Sequence, residues 1–140
     1  MASGIDIIDH SAEVLAAIRR AKETALEEIG LKAEGYAKKN ITANKSVDTG
    51  NLRNSITHEQ AGDDEYIGTN VEYAPYVELG TGIHATGGSG AKKIPWSYQD
   101  EKGQWHRTSG RPAKPFLKPA ASEHADEYKR IIERHLKNLK

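Results

Sequence analysis

Apolar residues recur at steps of three and four through the first part of the chain: Val14, Ile18, Ala21, Ala25, Ile29, Ala33 and Tyr36. That spacing lines them along one face of a helix over 9–40, with Arg19, Lys22, Glu23, Glu27, Lys38 and Lys39 elsewhere on its surface. Asp9 and Ser11 both offer a side-chain oxygen to the first turn. Gly30 and Gly35 lie inside the run, and each costs about 1 kcal/mol against alanine, so a kink or an early end is expected there. The same rhythm returns over 115–139 in Leu117, Ala121, His124, Tyr128, Ile131, His135 and Leu139. Phe116, Ile132 and Leu136 widen that face enough to suit packing on a sheet, and Phe116 is expected to plug the last helix into the core.

Between the helices the period shortens. Ser55–Glu59 and Glu65–Asn70 pattern as two strands around the turn-rich segment 61–64. In the following segment, 73–79, Pro75 cannot donate to a central ladder, which places it in the first turn of a short helix or on an edge. From Gly80 to Arg111 the chain is rich in glycine, and two short aromatic runs, 95–98 and 104–108, flank a polar turn as in a protruding hairpin. Gly80 and Gly82 read as the hinge of this arm, while Arg111-Pro112 and Lys114-Pro115 stiffen its return. A loop of that length with so little core-forming sequence tends to bind, or to order on a partner. The expected whole is one α+β domain over 1–140. A small antiparallel sheet is packed by a long N-terminal helix (9–40) and a C-terminal helix (115–139). Strands and a short helix fill 51–80, and a mobile arm spans 81–111.

Composition narrows the function. Twenty Lys and Arg against twenty Asp and Glu give no net charge, which argues against a surface built to wrap nucleic acid or anionic lipid. No cysteine is present, which removes disulfides, thiolate metal sites and cysteine nucleophiles and points to an intracellular setting. The longest apolar run near the start is the five residues Val14–Ile18. That is short of the roughly 7–15 apolar residues of a secretory signal and the about 20 of a membrane span, so no membrane partner is expected.

The placement of charge says more than its sum. Between Asn54 and Ala91 there is no Lys or Arg, but Glu59, Asp63, Asp64, Glu65, Glu72 and Glu78. From 92 to 118 the balance inverts: Lys92, Lys93, Lys102, Arg107, Arg111, Lys114 and Lys118 stand against Asp100 and Glu101. Two such regions either are plain solvated faces or pair head-to-tail with copies of the same chain, a heterologous contact that closes into a ring when the rotation permits. The basic region also suits passing contact with DNA in the lumen of such a ring. Tyr73 and Tyr76, around Pro75, offer aromatic area either to an interface or to the core beneath the first helix.

Catalytic chemistry has no evident seat. Asp48-Thr49-Gly50 spells the tripeptide of aspartic proteases, which a homodimer would supply twice, but polar residues 44–46 precede it where an apolar strand is needed. Helix punctuation by Asp48 or Thr49 is the simpler account. The stretch 86–92 misses the spacing of a phosphate loop. The six histidines never fall at a ligand spacing, and His124 and His135, on the apolar stripe of the last helix, suit hydrogen-bonded core or interface positions. No cofactor and no metal are expected.

Three blocks, Val47–Ile56, Ile67–Thr81 and Arg111–Ala120, taken in this order resemble the minor tail-component family of long-tailed bacteriophages and prophages, the gene-product-ten-like proteins of the neck. The insert from Ile94-Pro95-Trp96 to Trp105-His106-Arg107-Thr108 resembles longer-loop members, whereas the first helix is similar only in kind. The resemblance implies a small α+β virion subunit without enzymatic activity, in a ring, often of six copies, at the neck or tail. Such a subunit assembles in the host cytoplasm beside head-completion and tail proteins. Neck protein, tail-completion protein and tail terminator are its possible stations. The subunit contacts are then expected from Asp48, Leu52, Arg53, Glu72, Tyr73, Pro75, Tyr76, Glu78, Thr81, Trp96, Trp105, Arg107 and Arg111.

Overall fold

The first helix, α1 (Ser11–Asn44), runs 34 residues straight through Gly30 and Gly35. It belongs to a computed structural model that describes residues 7–45, 49–81, 84–85, 96–100 and 102–139. Asp9 accepts the Ser11 N–H at 2.8 Å ahead of the first turn. Lys45, with φ +50°, ends the helix in the left-handed region. Its buried positions are Ala25, Leu26, Gly30, Ala33, Ala37 and Ile41. Val14 and Ile18, expected on the packed face, are 52% and 38% exposed, because the other described residues reach back along α1 to about Ala17 to Lys22.

After α1 come α2 (Thr49–Ser55) and the strands β1 (Thr57–Ala61) and β2 (Asp64–Gly68), paired antiparallel from Thr57↔Gly68 to Ala61↔Asp64. The strands start and end differently from the expected 55–59 and 65–70, since α2 continues through Ser55. Alternation turns His58, Gln60, Glu65 and Ile67 inward and leaves Thr57, Glu59, Ala61, Asp64 and Tyr66 exposed. The inward face sits on α1. Pro75 does lie in the first turn of a short helix, α3 (Ala74–Leu79). The aromatic runs of the arm form a second, separate hairpin, β3 (Trp96–Gln99) with β4 (Trp105–Thr108).

The C-terminal helix is two helices, α4 (Leu117–Ser122) and α5 (Ala125–Lys137), broken at Glu123 and His124. The break lays the His124 ring flat on Tyr36, with centroids 3.5 Å apart. The Tyr128 hydroxyl spans it to donate to the Ala120 carbonyl at 2.5 Å. α5 packs chiefly along α1 rather than on a sheet, contrary to expectation. The reason is chemical: the free face of β1–β2 is polar and offers an apolar helix nothing to bury against. What α5 and its approach meet instead is a stripe of α1 at steps of four. Arg134 pairs with Glu28, Lys32 with Glu127, and the Tyr36 hydroxyl donates to Glu127 at 2.5 Å. Further along, Asn40 donates to the Phe116 carbonyl at 3.2 Å and Asn44 to that of Pro115 at 3.0 Å.

The core gathers Ala37, Ile41, Leu52, Ile56, Ala74, Phe116 and Ala120, with Tyr36, Ile67, Val71, Tyr73, Val77 and Leu117 packed around it. Phe116 is fully buried, as its place in the sequence suggests. Gly80 closes α3 at φ +80°, and a Cβ there would lie 2.7 Å from the His84 carbonyl oxygen and 2.9 Å from the Ala113 nitrogen. Both obstacles are backbone and neither can swing away. Gly80→Ala is therefore expected to cost roughly 1–3 kcal/mol. Thermal unfolding followed by circular dichroism should show a midpoint lowered by several degrees.

Candidate functional site

The outer face of α3 exposes apolar side chains beside the core. Pro75, Tyr76 and Leu79, with Glu72 in the turn ahead, fall at helical spacing on one side. Tyr76 is 63% and Leu79 45% exposed, whereas Ala74 is buried and Tyr73 and Val77 pack against the core. The two tyrosines thus divide, Tyr73 inward and Tyr76 outward. An exposed tyrosine beside leucine and proline offers large rigid area at low entropic cost, the chemistry of an interface anchor.

Directly after α3 the chain enters the arm through a clasp. The Thr81 N–H donates to the Arg111 carbonyl at 2.9 Å, and the Arg111 N–H donates to Thr81 Oγ1 at 2.8 Å. Lys114 N–H adds a bond to the Val77 carbonyl at 2.7 Å. Thr81 and Arg111, 30 residues apart, are brought together. Gly80, expected as a hinge, is buried in this clasp, and Gly82 lies outside the described residues. Glu78 turns to the same place from within. Its carboxylate accepts the N–H groups of Phe116 at 2.7 Å, Leu117 at 3.0 Å and Lys118 at 2.9 Å. These are donors that the start of α4 leaves unpaired, so Glu78 caps α4 from within the chain.

In the β3–β4 hairpin, Trp96 faces Thr108 and Gln99 faces Trp105. Alternation then sends Trp96 and Tyr98 to one face with His106, and Trp105 to the other with Arg107. Trp105 is 71% exposed, Trp96 is half-buried, and the Tyr98 and His106 rings stack at 5.3 Å. The turn is tied by Asp100, whose carboxylate accepts the backbone N–H groups of Lys102 at 2.9 Å and Gln104 at 2.8 Å and meets His106 Nε2 at 2.7 Å. The His106 bond, followed by those from the backbone, holds the Asp100 carboxyl below the usual aspartate range.

Other expected residues fall elsewhere. Leu52 is fully buried and serves the core. Arg53 is exposed and donates to Thr42 Oγ1 at 3.3 Å. Asp48 lies outside the described residues, while Thr49 and Gly50 open the helix α2, where the protease reading needs a loop after a strand. His124 and His135 are half-buried, against Tyr36 and Glu28. Sequence spacing missed one gathering of metal-ligating donors: Glu27, His58 and Glu65 converge in the seam between α1 and the β1–β2 hairpin. More than 30 residues separate Glu27 from the other two, so only the register of the hairpin on the helix reveals it. Among the described residues, no helix is long and apolar enough to cross a membrane.

Among known families, the model HK97-gp10_like, described as "Bacteriophage HK97-gp10, putative tail-component", matches residues 6–80. The match takes in α1, for which the sequence resembled the family only in kind, and the first two of the three sequence blocks almost whole. It stops short of the arm and of Arg111–Ala120. Neither the curated proteins nor the solved structures gave a match.

Two outcomes follow from this geometry. Glu78→Ala should cost about 1–2 kcal/mol by stripping the cap from α4, visible as a lowered midpoint of chemical denaturation of the isolated chain. For Asp100 the folded carboxyl titrates below its unfolded value, so its support of the hairpin is present above the ordinary aspartate range and is lost as pH falls through the folded value. An NMR titration should place the Asp100 midpoint below 3.8, and Asp100→Asn should loosen the Lys102 and Gln104 amides at neutral pH.

Proposed function

The chain belongs to the bacteriophage HK97-gp10-like tail-component family, and from that premise we propose that it is a structural subunit of the head–tail junction. Copies close into a ring at the neck, six being the number the family resemblance suggests, and the ring completes the tail and joins it to the head. Its neighbours are head-completion and tail proteins, and DNA passes through its lumen. Its work is positional rather than catalytic.

The observation that carries this reading is the outward face of Glu72, Pro75, Tyr76 and Leu79 beside the Thr81–Arg111 clasp. Here a short helix whose inner residues pack on the core presents an aromatic and aliphatic patch. Beyond the clasp stands a hairpin that exposes Trp105 beside its turn and Arg107 further down the same face, and among the described elements its strands contact chiefly each other. A hairpin that buries little in its own subunit suits burial in the next.

A stop codon in this gene, followed by electron microscopy of the lysate, tests the assignment. Packaged heads accumulating beside free tails of normal length are expected. Tails of uncontrolled length would instead make the protein a terminator ring capping the tail tube, and intact infectious particles would overturn the structural role. Tyr76→Ala should weaken each subunit contact by about 2 kcal/mol, roughly thirtyfold, while leaving the isolated subunit folded. Infectious titre and the circular dichroism of the purified variant check the two halves of that statement.

A further inference from the structure

Glu65 is oddly placed for a carboxylate. It points inward from β2, both its oxygens are shut off from solvent, and neither has a hydrogen-bond partner. A buried carboxylate without a partner is costly, and in folded proteins such groups are paired or coordinate a metal. Burial pushes its carboxyl above the usual glutamate range. Directly opposite lies Gly30 of α1, where a Cβ would come within 2.0 Å of Glu65 Oε1 and 2.8 Å of His58 Cδ2. The helix thus carries a glycine, at a cost in helix propensity, where these two side chains converge.

His58 completes the arrangement. Its Nε2 faces Glu27 Oε1 at 2.9 Å, and its Nδ1 faces Glu34 Oε1 at 3.3 Å. One donor atom each from Glu27, His58 and Glu65 lies within 4.8 Å of the other two. Ligands of a tetrahedral zinc ion, bound at about 2.0–2.2 Å, stand about 3.4 Å from one another, which small side-chain rotations reach from here. Glu34 occupies the position that a carboxylate behind a metal-bound histidine takes, holding the far ring N–H and so fixing the tautomer. The surrounding charge also favours a cation. Among the described residues, the ion pairs of Glu27 and Glu34 are with His58 and with the Lys38 ammonium, 3.4 Å from Glu34.

We propose that Glu27, His58 and Glu65 bind one divalent transition-metal ion, with Glu34 orienting His58. One imidazole and two carboxylates suit zinc best among common ions. The Glu27 side chain is 65% exposed, so the ion enters from solvent, and water fills the fourth position. The ion staples the β1–β2 hairpin to α1 and gives the Glu65 carboxylate its missing partner.

The test uses the tag-free full chain, stripped with chelator and titrated with zinc chloride by calorimetry. One equivalent should bind, and a hundredfold excess over the dissociation constant should raise the thermal midpoint by roughly 5–10 °C. Glu65→Gln and His58→Gln should each lose the equivalent while keeping the helical circular dichroism of the metal-free chain. Cobalt(II) in place of zinc should give visible ligand-field bands that His58→Gln abolishes, a readout independent of stability. Absence of stoichiometric binding would overturn the proposal. So would binding that persists in both variants, since the ion would then sit on other carboxylates or histidines.

Discussion

Between Ala25 and Ile41, most of the residues that α1 buries are alanine or glycine, and the close approach of the β1–β2 hairpin and of the core depends on that. The β1–β2 hairpin lies across Gly30 so closely that a methyl group there would collide with Glu65 and His58. Ala37 and Ile41 form one wall of the core that Leu52, Ile56 and Phe116 fill. A 34-residue helix gains little from propensity alone, and most of its stability comes from the faces it buries. Here it buries them against elements from the middle and from the C-terminal part of the chain. The helix orders the rest, and the rest keeps the helix.

That mutual dependence explains which parts were legible in the sequence. Apolar periodicity located α1, the C-terminal helical region and the buried role of Phe116, because those features are written in residue type. It misplaced the packed face at Val14 and Ile18, since periodicity marks a stripe without saying how far along it a partner extends. It also had no means of seeing the stripe of Glu28, Lys32, Tyr36, Asn40 and Asn44, whose contacts with the C-terminal segments are polar or aromatic. The break at Glu123 and His124 was hidden for the same reason. A histidine stacked on a tyrosine looks, in a pattern, like one more residue on a helical face.

Among the residues that the sequence offered for subunit contacts, the structure separates two kinds. Tyr73, Leu52 and Glu78 hold the subunit together, whereas Tyr76, Leu79 and Trp105 stand outside it. The distinction arises from the third dimension of a single helical turn. Positions 73 and 77 face the core, 75, 76 and 79 face solvent, and 78 reaches across to α4. The Thr81–Arg111 clasp then ties the chain on either side of the hairpin to this turn.

The acidic run invites an ionic account of the ring closure proposed above, but half of its acids are engaged within the chain. Of its six acids, Asp63 is held by Lys22, Glu65 is buried in the hairpin seam and Glu78 caps α4, which leaves Glu59, Asp64 and Glu72 exposed. Exposed ion pairs contribute about 0–1 kcal/mol each and are screened at physiological salt. Three of them supply less than a few well-placed aromatic and aliphatic anchors do. In the ring proposed above, charge on this chain would therefore orient copies as they meet, while Tyr76, Leu79 and the exposed tryptophan of the hairpin would hold them.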